Sequence, residues 1–261
     1  MTASYDITHS GANYGTSTPA SSMSYTVPSG GVPSGALMFV ASGTGANSIT
    51  FTISDNAAGS PNTYIPVGPT PLSTTANFAN ATFGVYLCAL VFGNPTSITL
   101  TPSVSAPYLS ITVDIFTGFN PVISDGAAGQ MQYNPGSGTT NAVTSGTFSM
   151  IRNNDLVYGA MATYGLSANP TPGTGFTSGN NAAYAATEYN LSGAAGSSAA
   201  TWTATYSGNN TTYAIGAALA IDPRVRRLPM LGAGLVLPYA VDRLRKNESM
   251  SRRRFLSTVG W

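Results

Sequence analysis

The residues able to do chemistry are few, and their spacing decides which chemistry stays open. The chain has one histidine, His9, and one cysteine, Cys88. An intramolecular disulfide and a structural zinc cluster are therefore excluded. Cys88 sits in the apolar run Val85-Tyr86-Leu87-Cys88-Ala89-Leu90-Val91, and His9 in a polar N-terminal stretch. Cys88 reads as a small core residue, and no Cys–His nucleophile is expected. Oxygen ligands for calcium exist in Asp55, Asn56 and Asp125, yet Asp and Asn near glycine are ordinary turn formers, and turn chemistry is the expectation. Glycoside hydrolysis needs two carboxyl groups about 5–9.5 Å apart. The candidates Asp114, Asp155 and Glu188 form no sequence cluster, and Asp114 between Val113 and Ile115, like Glu188 between Thr187 and Tyr189, reads as a solvent-face residue. No catalytic residue, metal ligand or cofactor is assigned, and the chain is expected not to be an enzyme.

Aromatic residues offer a second kind of chemistry. Trp202 and Tyr206 are four apart in Thr201-Trp202-Thr203-Ala204-Thr205-Tyr206, which puts both on one face of a strand. That face could stack on a glycan, meet another subunit, or line the core, and the core is the favoured of the three.

Cations are the third kind, and they are concentrated at one end. Residues 1–222 hold one cation, Arg152, against seven acids, a net of −6. Residues 223–261 hold Arg224, Arg226, Arg227, Arg243, Arg245, Lys246, Arg252, Arg253 and Arg254 against Asp242 and Glu248, a net of +7. The clusters alternate with apolar residues, from Leu228 to Val241 and at Phe255, Leu256, Val259 and Trp261. A short helix is expected within 239–249, where Asp242 and Lys246 stand four apart. Arginine's planar fork suits carboxylates, so the tail, Trp261 included, reads as a docking segment for another protein. Nucleic acid and an anionic membrane surface rank behind it, because phosphate binders rarely carry so many apolar residues and a membrane helix would be less broken by Pro and Gly.

The elements that must position these residues read as strands. Eight of the 222 body residues are charged, about 4%, against roughly 25% in an ordinary soluble protein. Solubility must come from Ser, Thr, Asn and Gly. Ser48-Ile49-Thr50-Phe51-Thr52-Ile53-Ser54 alternates apolar and polar with period two, and 36–41, 82–92, 97–101, 109–116, 155–163, 183–191, 200–206 and 213–221 are further strands between turn clusters. The expected fold is all-β: an antiparallel, jelly-roll-like sandwich over 1–222, with an N-terminal arm and first strands in 1–35, followed by the partly helical tail 223–261. The Gly-, Ser-, Thr- and Asn-rich segment 118–146 reads as a long connection. No repeat of fixed period is evident.

Gly35-Ala36-Leu37-Met38-Phe39-Val40 is followed by the turn region Ser54 to Tyr64, then by Asn154-Asp155-Leu156-Val157-Tyr158-Gly159-Ala160, Gly173-Thr174-Gly175-Phe176-Thr177 and the closing strand Tyr213 to Ile221. Over residues 36–222 this order resembles the Ser/Thr/Gly-rich, lectin-like jelly-roll modules of phage virion proteins and bacterial surface proteins. The resemblance implies a sandwich architecture and carries no catalytic motif. Residues 1–7 show neither a basic nor an apolar signal region, and no apolar run reaches 18 residues, which fits a virion protein made in a host cytoplasm better than a secreted one. The expectation is a non-enzymatic virion protein, in capsid decoration or a tail fibre, oligomeric and docked through its tail to other virion proteins. The alternative is a carbohydrate-binding module or adhesin that contacts a host glycan.

Overall fold

The computed structural model describes residues 3–59, 61–74, 81–119, 122–134, 138–163, 166–182, 185–208 and 210–221. Among these the regular elements are all strands. The first half contains β1 (Ser4–Tyr5), β2 (Gly11–Tyr14), β3 (Met23–Thr26), β4 (Leu37–Thr44), β5 (Phe51–Asp55), β6 (Ile65–Pro66), β7 (Leu72–Thr74), β8 (Ala81–Cys88), β9 (Ser97–Pro102) and β10 (Ser110–Thr117). The second contains β11 (Val122–Asn134), β12 (Thr140–Thr144), β13 (Phe148–Met150), β14 (Asp155–Thr163), β15 (Thr171–Pro172), β16 (Thr177–Ala182), β17 (Ala185–Gly193), β18 (Gly196–Ser198), β19 (Thr201–Thr205) and β20 (Asn210–Ile221). The nine strands expected from apolar runs are all present, and every pairing is antiparallel.

The two halves are one design used twice. In the first, β10 pairs with β2 and β4, β4 with β8, and β9 lies between β3 and β5. In the second, β20 pairs with β11 and β14, β14 with β17, and β19 lies between β12 and β15. Each half is thus a large sheet packed on a small three-stranded one. Met38, Val40, Ile111 and Val113 of the first large sheet meet Tyr25, Phe51, Ile98 and Leu100 of its small sheet. Met161, Ala186 and Ala214 meet Val143, Trp202 and Ala204 in the same way.

The large sheets also pack on each other, through Leu37, Phe39, Val85, Leu87 and Phe116 on one side and Leu156, Tyr158, Ile215, Ala217 and Leu219 on the other. Phe39 of β4 and Tyr158 of β14, strands that hold the same place in their sheets, stack with ring centroids 3.9 Å apart and planes 6° apart. β10 meets β17, where Phe116 and Tyr189 lie edge to face at 5.5 Å, and β20 correspondingly meets β8. Equivalent residues meeting each other, with reciprocal strand contacts, are the mark of a twofold relation. The duplication escaped the sequence because pairing and burial pattern are kept while residue identity is not.

Two consequences follow for the elements. Both large sheets are buried on both faces, so β4, β8 and β14 are almost wholly buried and lack alternation. The small sheets turn hydroxyls outward, with Ser24 Oγ 2.9 Å from Thr99 Oγ1 and Thr140 Oγ1 2.9 Å from Thr205 Oγ1. Those hydroxyl ladders hydrate a body that has few charges.

The segment 118–146, expected to be a long connection, contains the longest strand of the fold, β11, and then β12. Its lack of an apolar pattern has a physical cause. A Cβ on Gly129 would lie 2.6 Å from the Pro69 ring, and one on Gly126 would strike the Ser149 carbonyl. The strand is built from small residues because other segments press on it. The tail from residue 222 onward, with its expected helix, lies outside the described residues.

Candidate functional site

The titratable side chains of the body are mostly buried and engaged. Asp114, expected on a solvent face, is fully buried on β10 between the two large sheets. The expectation fails because alternation on β10 separates two buried faces rather than a buried and a wet one. Its Oδ1 accepts from Tyr5 Oη at 2.8 Å and Asn180 Nδ2 at 2.8 Å, and its Oδ2 accepts from Tyr158 Oη at 2.8 Å. Burial raises its pKa, against the lowering effect of these donors and of Thr187. Tyr158, Asn180 and Thr187 come from the second half, so one carboxyl group ties the halves together.

Glu188, also expected on a solvent face, is buried on β17 and points the opposite way from its neighbours Thr187 and Tyr189. It accepts the amides of Thr201 at 2.7 Å and Gly173 at 2.9 Å, beside the second small sheet. Burial outweighs the two amides and pushes its pKa up to about 7. Thr187 serves Asp114 on one face of the second large sheet while Glu188 serves the small sheet on the other. These two acids therefore do not form the facing pair that glycoside hydrolysis needs.

A true carboxyl pair lies elsewhere. Asp155 opens β14 and is 1% exposed; Asp125 stands in the bulge of β11 between Ser124 and Gly126. Asp125 accepts the amides of Ile151 at 2.7 Å and Arg152 at 3.2 Å, while Asp155 Oδ2 finds no donor among the described residues. Two acceptors facing each other can bond only through a proton. Burial and the neighbouring Asp125 push Asp155 up to about 6, and Asp125 is held below its ordinary value by Asp155 and the two amides. Among the described residues no cluster of three or more His, Cys, Asp or Glu is placed to hold a metal ion.

Trp202 and Tyr206 do share one strand face, and that face is core: they are 2% and 0% exposed. Neither is available to a glycan or to another subunit, because the face packs on Met161 and Ala214. Tyr206 Oη lies 2.7 Å from Thr212 Oγ1.

No family model and no curated protein matches this chain.

The remaining candidates are structural. Asp55 accepts from Tyr64 Oη at 2.6 Å, the Ala57 amide at 2.9 Å and Asn62 Nδ2 at 3.0 Å, while Asn56 Oδ1 takes the amides of Thr96 and Ser97, each at 2.9 Å. This is the turn chemistry expected of them. Cys88 is buried, its thiol pushed up to about 11 by burial, and His9 Nδ1 lies 2.7 Å from Asp6 Oδ2. The loop that Asp55 organises borders an open, largely apolar depression of about 390 Å³, with Pro61, Asn62, Thr63, Leu90 and the exposed Ile65 and Phe92 around it. The nine tail cations and Trp261 lie outside the described residues.

Neither the Asp114 latch nor the Asp125–Asp155 pair was visible in the sequence. The sequence carried little signal for Asp114, because from Leu109 to Phe116 the polar Ser110, Thr112 and Asp114 alternate with the apolar Ile111, Val113 and Ile115, as on a half-wet strand.

Proposed function

We propose that this chain is a non-enzymatic structural protein of a phage particle, with its sandwich body displayed outward and its C-terminal tail docked to other virion proteins. The segregation of charge carries the reading. A body with one cation and a net of −6 precedes a tail with nine cations and a net of +7. A surface so poor in charge is suited to close packing beside copies of itself, and the tail's Arg clusters to acidic protein surfaces. The body supports this role: its buried acids stitch strands together, and the chain crosses repeatedly between the large sheets and the small ones. Capsid decoration and a tail-fibre position both fit.

The test is co-sedimentation of the full-length chain with purified particles, beside a variant with Arg243, Arg245, Lys246, Arg252, Arg253 and Arg254 changed to Gln. Stoichiometric wild-type protein on the particles, lost in the variant, is the expected outcome. Retention of the variant would remove the tail from the docking role, and absence of the wild type from particles would remove the virion reading.

A second reading, carbohydrate binding, rests on the depression beside Phe92, where an exposed aromatic ring adjoins the Asn62 amide and Thr63 hydroxyl. Phe92→Ala should abolish glycan-array binding if it holds; an array blank for the wild type would dismiss it.

A further inference from the structure

Edge strands expose unpaired amide and carbonyl groups, and natural sheets blunt them with short length, bulges, proline or charge. Three of the four edges of the two large sheets are blunted in this way. On one edge of the first sheet, β1 and β2 are two and four residues long and are separated by the turn that carries the Asp6–His9 pair. On its other edge, β6 is two residues long and ends in Pro66. In the second sheet, β16 breaks register between Ser178 and Asn181.

The fourth edge, β11, has none of these protections over most of its length. It runs thirteen residues and, among the described residues, its one strand partner is β20. Its one bulge and its one charge, Asp125, stand near the N-terminal end. From Gly126 to Asn134 it reads Gly-Ala-Ala-Gly-Gln-Met-Gln-Tyr-Asn, with no charge and no proline, in unbroken register with β20. Every second residue of such a strand turns its N–H and C=O away from the partner it has. Gln130 and Met131 are exposed on it.

We propose that residues 126–134 form a twofold dimer interface, in which β11 pairs antiparallel with β11 of a second copy of this chain. Main-chain edge groups accept only another extended strand, which fixes the kind of occupant. A twofold axis sets a strand against itself in antiparallel register, so any charge near the centre would face its own copy. A nine-residue window free of charge satisfies that condition, and pairing joins two five-stranded sheets into one continuous sheet. The inference is independent of the virion reading, and its test contains no particles.

Sedimentation velocity of the purified full-length chain, over a concentration series, is run beside the double variant Gln130→Lys, Met131→Lys. Both side chains are exposed, so the variant keeps the core. The wild type should be dimeric in the micromolar range, and the variant monomeric there, with its dimer at least tenfold weaker and an unchanged circular-dichroism spectrum. Amide exchange of residues 126–134 should slow as wild-type concentration rises. A monomeric wild type, a dimer indifferent to the two lysines, or exchange at 126–134 independent of concentration would each overturn the proposal.

Discussion

Asp114 takes its donors from both halves of the body, and that arrangement makes it a positioning group. A buried carboxylate costs several kcal/mol unless its oxygens are bonded. Here Tyr5, Asn180 and Tyr158 provide those bonds, each at 2.8 Å. Tyr158→Phe removes one donor and leaves the stack on Phe39 in place. It should destabilise the body by about 1–3 kcal/mol, read from chemical denaturation. Phe39→Ala removes the other ring of that stack and should cost about 3–5 kcal/mol. Of these residues, the sequence identified Asp114 only as an acid in a strand. Its partners lie 44 to 109 positions away and share no local motif, so only the fold brings them together.

At the scale of elements, strands with strong apolar runs were legible and those without were not. β4, β8, β9, β10, β14, β17, β19 and β20 all carry apolar residues that fill one or two cores. β11 was missed because its side chains are kept small by what presses on it, and β1, β6, β15 and β18 are too short for any pattern. The same logic of small against large operates across β14 and β19. The Trp202 ring lies over Gly159, where an added Cβ would come within 2.9 Å of it and collide with Ala200. In the first half, β4 carries Val40 in the core shared with its own small sheet. Gly159→Ala should therefore destabilise by about 1–3 kcal/mol despite the better strand propensity of alanine, and Trp202→Leu in the same chain should recover part of the loss. Thermal midpoints of the single and double variants would decide it.

For the whole molecule, the buried acids set the pH dependence. Glu188 and Asp155 bind a proton more tightly folded than unfolded, at about 7 and about 6 against ordinary values of 4.5 and 3.8, and Asp114 is shifted in the same direction. Such groups favour the folded state fully below their unfolded pKa, and the contribution is lost as pH rises through the folded one. Asp125, shifted down, contributes stability that is fully present above its ordinary 3.8 and is lost only as pH falls below it, so it adds no slope between pH 5 and pH 8. Denaturant midpoints should thus be higher at pH 5 than at pH 8, with Glu188 responsible for up to about 3 kcal/mol. Glu188→Gln should flatten the profile and be the more stable form at pH 8. A wild-type midpoint equal or higher at pH 8 would refute this assignment. The low charge of the body and its all-β class were legible from composition and periodicity. Its duplication was not, because the two halves share the order in which strands pair and little of their sequence.

That duplication has a consequence for the layer between the large sheets. Two free copies of one half, joined about a true axis, would present each group of the layer twice. A carboxyl on β10 would arrive with its twin, and a phenol would stack on a phenol. In one chain the copies have diverged: Ala217 occupies in β20 the register that Asp114 holds in β10, and Phe39 faces Tyr158. The layer has acquired a donor side and an acceptor side. Covalent linkage holds these unlike faces together, with the Phe39 ring of one half on the Tyr158 ring of the other and the Asp114 carboxyl supplied with donors from across the layer.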